Sequence, residues 1–246
     1  MNKKYITLAL ITILFSACGS TSDDTPNNDG KGAIDLASYY PSSKIDHKIF
    51  LSEVDGADQP SEYQQIKVTK NSITTTIGTK VIEKVVFSDT NITITSEDKK
   101  VDTMYRHVDI GDTLGSKKIN STKNIDLGKM ITKLDTSCTV KSKESSFEKG
   151  THSYKGNLLK LECLTEGTVV YDIKPSLISV VSSDLNGSHP IYNKSYAYLQ
   201  KDLGLVAEID DDCVSLEGFN GDPLIDDRKN PKDCKSTKSN YKFYLP

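Results

Sequence analysis

Tryptophan is missing from this 246-residue chain, and phenylalanine occurs only six times. A core with so few large rings must be built from Ile, Val and Leu, with tyrosine as the main aromatic. No C-x-x-C pair is present and no histidine sits at ligand spacing from a cysteine, which removes the usual zinc frameworks. There is no G-x-S-x-G elbow, no H-E-x-x-H, no phosphate-binding Walker loop and no dinucleotide fingerprint. The four histidines, His47, His107, His152 and His189, are scattered, and His189-Pro190 in "NGSHP" reads as a turn. No catalytic residue, metal ligand or cofactor is therefore expected. A concentrated basic surface is missing too: 31 Lys and Arg stand against 34 Asp and Glu, which argues against nucleic acid as a partner. The longest apolar run, Tyr5 to Phe15, is 11 residues and is broken by Thr7 and Thr12. A membrane-spanning helix needs roughly 20, so a transmembrane span is not expected.

That short run has a setting of its own. Lys3 and Lys4 precede it, and the small residues Ser16 and Ala17 follow. This is the layout of a secretory signal peptide over residues 1–17. Removing residues 1–18 takes away two lysines and moves the formal charge from −3 to −5. The next stretch, residues 18–32, is rich in Ser, Thr, Asp, Asn and Gly and has no apolar cluster to bury. It is expected to be a flexible tether, reaching about 20 Å on average. The β domain should then occupy residues 33–246.

Four cysteines remain beyond Cys18: Cys138, Cys163, Cys213 and Cys234. An even count in an exported chain implies disulfides. Three connectivities are open, and proximity in sequence selects Cys138–Cys163 and Cys213–Cys234. The second pair would staple a polar, turn-rich C-terminal region over residues 210–240.

From Gln65 onward the chain alternates. Ile66 and Val68 share one side of a strand, Ile73, Thr75 and Ile77 follow, then Val85 and Phe87, then Ile92 and Ile94. Period two, β-branched residues and intervening turn-formers indicate antiparallel strands. "SDTN" (88–91) and "SEDKK" (96–100) read as turns. "STKNIDLGKMITKLDTS" (121–137) reads as strand or loop, because Gly128 interrupts its near-helical spacing. Strands resume in "CTVKSKESSFEK", "NLLKLECL", "GTVVYDIK", "LISVVSS" and "KSYAYLQKDLGLVAEI", and "NYKFYLP" offers a final edge strand. No repeat of fixed period is present.

Two resemblances add to this. "LFSAC" (14–18) resembles the lipobox of bacterial lipoproteins, with Phe15 where leucine is usual. The resemblance implies that Cys18 is lipidated, palmitate included, and becomes the mature N-terminus. Gly19 is not the Asp that marks inner-membrane retention in many bacteria, so outer-membrane placement in the cell envelope is expected, facing either the periplasm or the surface. Three further landmarks are Tyr39-Tyr40-Pro41; Gly150, Tyr154 and Leu158-Leu159-Lys160; and Tyr196, Tyr198 and Gly204-Leu205-Val206. They resemble a loose group of exported bacterial β proteins whose curved sheet is similar to the incomplete barrels of periplasmic lipoprotein carriers. This chain departs from the group by carrying Ile49-Phe50 where a Trp strand is usual and Asp202 in place of a glycine. The implied fold is a mainly β, curved antiparallel sheet, an incomplete barrel or barrel-like. The group carries no settled activity, so no catalytic residue transfers.

Eight acids lie between Leu205 and Asp227 with no Lys or Arg among them: Glu208, Asp210, Asp211, Asp212, Glu217, Asp222, Asp226 and Asp227. Oxygen-rich loops bind Ca²⁺, but the spacing is not that of an EF-hand. Six basic residues follow, so a solvated acidic stretch without metal is expected. The functional expectation is a non-enzymatic envelope lipoprotein: a binding or structural module, held at the membrane by its lipid, that takes an apolar ligand or an envelope protein. A surface-exposed interaction protein and an envelope enzyme without a recognisable motif are the alternatives.

Overall fold

β-branched residues at every second position build strands, and Gly, Asn, Asp and Ser end them. The computed structural model describes residues 31–54, 57–97, 99–149, 152–177, 186–212 and 239–245. Among the described residues are fourteen strands and two short 3-10 turns, Leu36–Tyr39 and Pro175–Leu177. β1 (Ile34–Asp35) pairs with β8 (His107–Val108). The other twelve strands make one antiparallel sheet. A first meander runs through β2 (Ile45–Val54), β3 (Ala57–Val68), β4 (Ser72–Ile77), β5 (Lys80–Phe87), β6 (Asn91–Ser96) and β7 (Val101–Tyr105). A second runs through β9 (Thr113–Ile125), β10 (Gly128–Lys149), β11 (His152–Ile173), β12 (Gly187–Gln200) and β13 (Gly204–Asp212). β14 (Ser239–Leu245) lies between β13 and β2 and joins the two meanders. The sheet is not closed; β7 and β9 are its outer strands.

One buried cluster draws on both meanders, with Ile73, Val85 and Met104 from the first and Val140, Leu161 and Leu199 from the second. Only a curled sheet brings these side chains together, and the side they share is the inner face. The expected curved, incomplete barrel is what forms, with an aliphatic core. Register shifts supply much of the bend, at Thr75/Thr76 on β4, Cys138/Thr139 and Val140/Ser142 on β10, and Tyr198/Leu199 on β12. An extra residue in one strand kinks it and increases its twist.

Both strands of the β10–β11 hairpin are 22 residues long, roughly 70 Å if straight. They do not run straight. Lys160 pairs with Tyr198, while Phe147 pairs with Tyr154 six residues further out, yet the Phe147 and Tyr198 rings are 4.2 Å apart. The hairpin tip must therefore fold back over the outer face. Two register shifts on β10 and Gly156, at φ 120°, accompany the fold. The consecutive Leu158 and Leu159 are both fully buried as a result, one under the folded tip and one in the inner core.

Three expectations need correction or limits. "NYKFYLP" forms a strand, but β14 is interior, bonded on both sides, since alternation reveals a strand and not its neighbours. His189-Pro190 is no turn: both residues lie in β12. Gly187–Tyr192 pairs only with β11 among the described residues, and a strand with one unpaired side tolerates a proline. The disulfide seen joins Cys138 and Cys163 in mid-chain, on β10 and β11, with Cα atoms 4.1 Å apart. Cys213 and Cys234, the staple expected in the C-terminal region, lie outside the described residues, as do Cys18 and residues 178–183 of "LISVVSS".

Candidate functional site

Two places concentrate unusual chemistry: the end of the sheet where the N-terminal segment docks, and a polar row on the inner face.

At the docked end the three sequence landmarks meet. The turn Lys201–Leu203 links β12 to β13, with Asp202 at φ 66° and Gly204 at φ 83°. The Asp202 N–H donates to the Ser38 carbonyl at 2.9 Å, and the Ser42 N–H donates to the Asp202 carbonyl at 3.0 Å. Lys201 N–H donates to the Asn157 carbonyl at 3.0 Å. Pro41 packs so closely that a Cβ on Gly204 would come within 2.9 Å of Pro41 Cδ. Gly204 thus serves a left-handed turn and a close approach at once. "ASYYPSS", "YKGNLLK" and "YLQKDLGLV" are far apart in sequence and form one corner.

The same N-terminal segment is locked to the first meander. Asp35 caps the 3-10 turn by accepting from Ala37 N–H at 3.0 Å. Its carboxylate also takes a two-pronged contact from Arg106, Nε to Oδ1 at 2.8 Å and Nη2 to Oδ2 at 2.7 Å. Arg106 Nη1 donates to the Ser88 carbonyl, and Leu36 N–H donates to the Arg106 carbonyl. The Arg106 hydrogen bonds hold the Asp35 carboxyl below the usual carboxylate range. A lowered folded-state pKa means that the pair stabilises the fold above the unfolded pKa, near 3.8, and that this contribution is lost as pH falls through the folded value. Both side chains are about a third exposed or somewhat less, so about 1 kcal/mol is expected. Urea titrations of Asp35→Asn and the parent should therefore differ at pH 6 and converge towards pH 2; a constant difference would show that the ion pair contributes nothing.

On the outer face, Phe147, Tyr154 and Tyr198 pack with Leu158 and Val206. Lys160 Nζ lies 4.5 Å from the Tyr196 ring centre and 5.5 Å from that of Tyr198. This cluster fastens the folded hairpin tip. Burial pushes the Tyr198 hydroxyl up.

The inner face changes character over one step along the strands. Val68, Ile73, Val85 and Ile94 form an aliphatic row across β3, β4, β5 and β6. In the next row Ile66 stands opposite Thr75, Thr75 opposite Glu83, and Glu83 opposite Ser96. Gln64 sits diagonally to Thr75 on the same side. Gln64 and Thr75 are each 8 % exposed, and Glu83 is half-buried. Burial pushes the Glu83 carboxyl up to about 7. No hydrogen bond or ion pair engages the side chains of Gln64, Thr75 or Glu83 among the described residues. The sequence carried a signal for this row: "VIEKVVF" places Glu83 in phase with Val85 and Phe87, both inward. A polar residue at an inward position went unread.

The structure keeps the described histidines apart: His107 is on β8, His152 begins β11 and His189 is on β12. Among the described residues no three His, Cys, Asp or Glu side chains come together as a metal site. Of the eight clustered acids only Glu208 has a described side chain; it is 1 % exposed, so it belongs to the interior and not to a solvated stretch. Asp210–Asp212 continue β13, and the acids beyond lie outside the described residues. No protein-family model matches the sequence, and no curated protein or solved structure matches it significantly.

Proposed function

We propose that this chain is a non-enzymatic lipoprotein of the bacterial envelope, tethered through Cys18, whose curled sheet is a binding module. The observation that carries the binding reading is the inner face: an aliphatic row beside the polar side chains of Gln64, Thr75 and Glu83, which have no hydrogen-bond partner among the described residues. The lipobox-like "LFSAC" and the polar stretch after it support the tether. The docking of residues 33–42 supports it as well, because it gives the domain a fixed starting point beside the tether.

Cells grown with a tagged fatty acid test the anchor. The parent chain should be labelled and sediment with membranes, and Cys18→Ala should lose both properties. Equal labelling of parent and variant, or none on the parent, would remove Cys18 as the anchor.

One observation favours interaction with an envelope protein as a second reading. Asp212 and Ser239, which flank residues 213–238, lie at the far end of β13 and β14 from the turn at Lys201–Leu203 where the N-terminal segment docks. A domain held by its N-terminus would present that end away from the membrane. Loss of a co-purifying envelope protein on replacing residues 213–238 by a Gly-Ser linker, with lipid labelling intact, would support it.

A further inference from the structure

The tip of the β10–β11 hairpin meets the rest of its strands at a corner where the ladder is interrupted. Glu144 pairs with Leu158 and Ser146 with Lys155, so Ser145 on one strand and Gly156-Asn157 on the other stand outside the register. Gly156 has φ 120°, a conformation that residues with a side chain rarely adopt. A Cβ there would have Gln200 Nε2, at 3.8 Å, as its nearest neighbour among the described residues, so the backbone angle and not crowding calls for glycine. Beyond the corner lies an arm, residues 146–155. Ser146, Glu148, Ser153 and Lys155 are exposed on it, while Phe147 and Tyr154 are buried. The two rings cover Leu158, Tyr198, Val206 and Ala207 on the outer face, and Gln200 Nε2 donates to the Lys155 carbonyl at 3.2 Å. Lifting the arm uncovers two rings together with a face whose members are 0–5 % exposed when covered, so an open monomer is costly. A second copy offers the same arm and the same face. Two open chains can therefore remake the docking contacts by exchanging arms across a two-fold axis.

We propose that the arm is hinged at Gly156 and docks on the outer face of a second copy of this chain, giving a reciprocal dimer in which Phe147 and Tyr154 of each copy pack on Tyr198 and Val206 of the other. This surface is separate from the inner face, and the inference does not rest on the binding reading above. Closed monomer and exchanged dimer share the docking contacts, so two terms separate them. Bringing two chains together favours the monomer, in which arm and face meet at an effective concentration on the order of 1 mM. The bend at residue 156 works the other way as soon as that residue resists positive φ. A side chain there penalises the corner but not a straightened hairpin, where ordinary extended backbone suffices.

The test uses the full chain in a mild detergent, with Phe147 replaced by the photoreactive p-benzoylphenylalanine. Ordinary and ¹⁵N-labelled chains are mixed in urea and refolded together. Light then joins position 147 to the face it rests on, and only exchange between copies gives joined peptides of mixed label. At low micromolar concentration the parent should be a monomer with single-label joins to residues 196–207. Mixed-label joins to the same residues should appear as the concentration approaches about 1 mM. Without the photoprobe, Gly156→Val should lower the dimer dissociation constant at least tenfold by light scattering. Adding Phe147→Ser and Tyr154→Ser should return it to monomer. The absence of mixed-label joins from the parent at every concentration would overturn the exchange, whether or not Gly156→Val folds. A folded, monomeric Gly156→Val would overturn the hinge. A dimer that survives the loss of both rings, or mixed-label joins to residues elsewhere, would overturn the outer face as the docking surface.

Discussion

A chain ending after Lys238 should lose cooperative unfolding altogether. β14 is bonded to β13 from Ala207–Phe243 to Asp211–Ser239, and to β2 from Asn240–Val54 to Leu245–Ile49. Its removal takes two ladders at once and leaves β2 and β13 with unpaired N–H and C=O groups in the middle of the sheet. Each ladder bond is worth about 1 kcal/mol net, and the eleven residue pairs involved put the loss at the scale of a whole domain's stability, roughly 5–15 kcal/mol. Far-UV circular dichroism against urea, with size-exclusion chromatography, reads the outcome. Lys242→Pro is a milder version. A proline in an interior strand removes a ladder donor and should cost about 3 kcal/mol or more. A truncated chain with the parent midpoint and elution volume would show that the meanders hold together without their shared strand.

Removing the disulfide should have the second-largest effect. Cys138 and Cys163 stand directly opposite each other on β10 and β11, close a 25-residue separation, and are 0 % and 4 % exposed. The bond restricts the unfolded chain, and for a loop of this size the expected contribution is about 3 kcal/mol. The double variant Cys138→Ala/Cys163→Ala avoids burying two hydroxyls and should lower the urea midpoint accordingly. In the parent, thiol-specific labelling of these two positions should need reductant together with denaturant, because the sulfurs are bonded to each other and sit in the core. The same midpoint in parent and double variant, or free thiols at both positions in the oxidised protein, would refute the staple. Non-reducing peptide mapping on the same sample decides whether Cys213 pairs with Cys234.

The strands were legible because period two is a local property. Ile66, Val68, Ile73, Val85, Ile92 and Ile94 declare their inward side without knowledge of any partner. Position within the sheet is not local. "NYKFYLP" looks the same on paper as an edge strand or a central one, and only pairing with Val54 and Ala207, far away in sequence, distinguishes them. Pro190 misled for the opposite reason: proline is a strong turn signal, yet on a one-sided stretch of strand its missing N–H does no harm. The candidate site was half visible. The inward phase of Glu83 can be read from "VIEKVVF", but its opposition to Thr75 depends on a bulge between Thr75 and Thr76 that no residue announces. The Asp35–Arg106 pair spans 71 residues and gave no sequence signal.

The place of β14 also sets a timetable. A ribosome delivers a chain from its N-terminus, so β2 emerges some 190 residues before its partner β14. Until then the strand at the centre of the finished sheet is an open edge, able to pair with whatever passes. The hairpins within each meander can close quickly, since their contacts are short in sequence, whereas the seam between them must wait for β14 and brings together residues some 190 positions apart. The seam can therefore form only once residues 239–245 have been delivered, and a chain interrupted before Ser239 leaves β2 and β13 with unsatisfied edges.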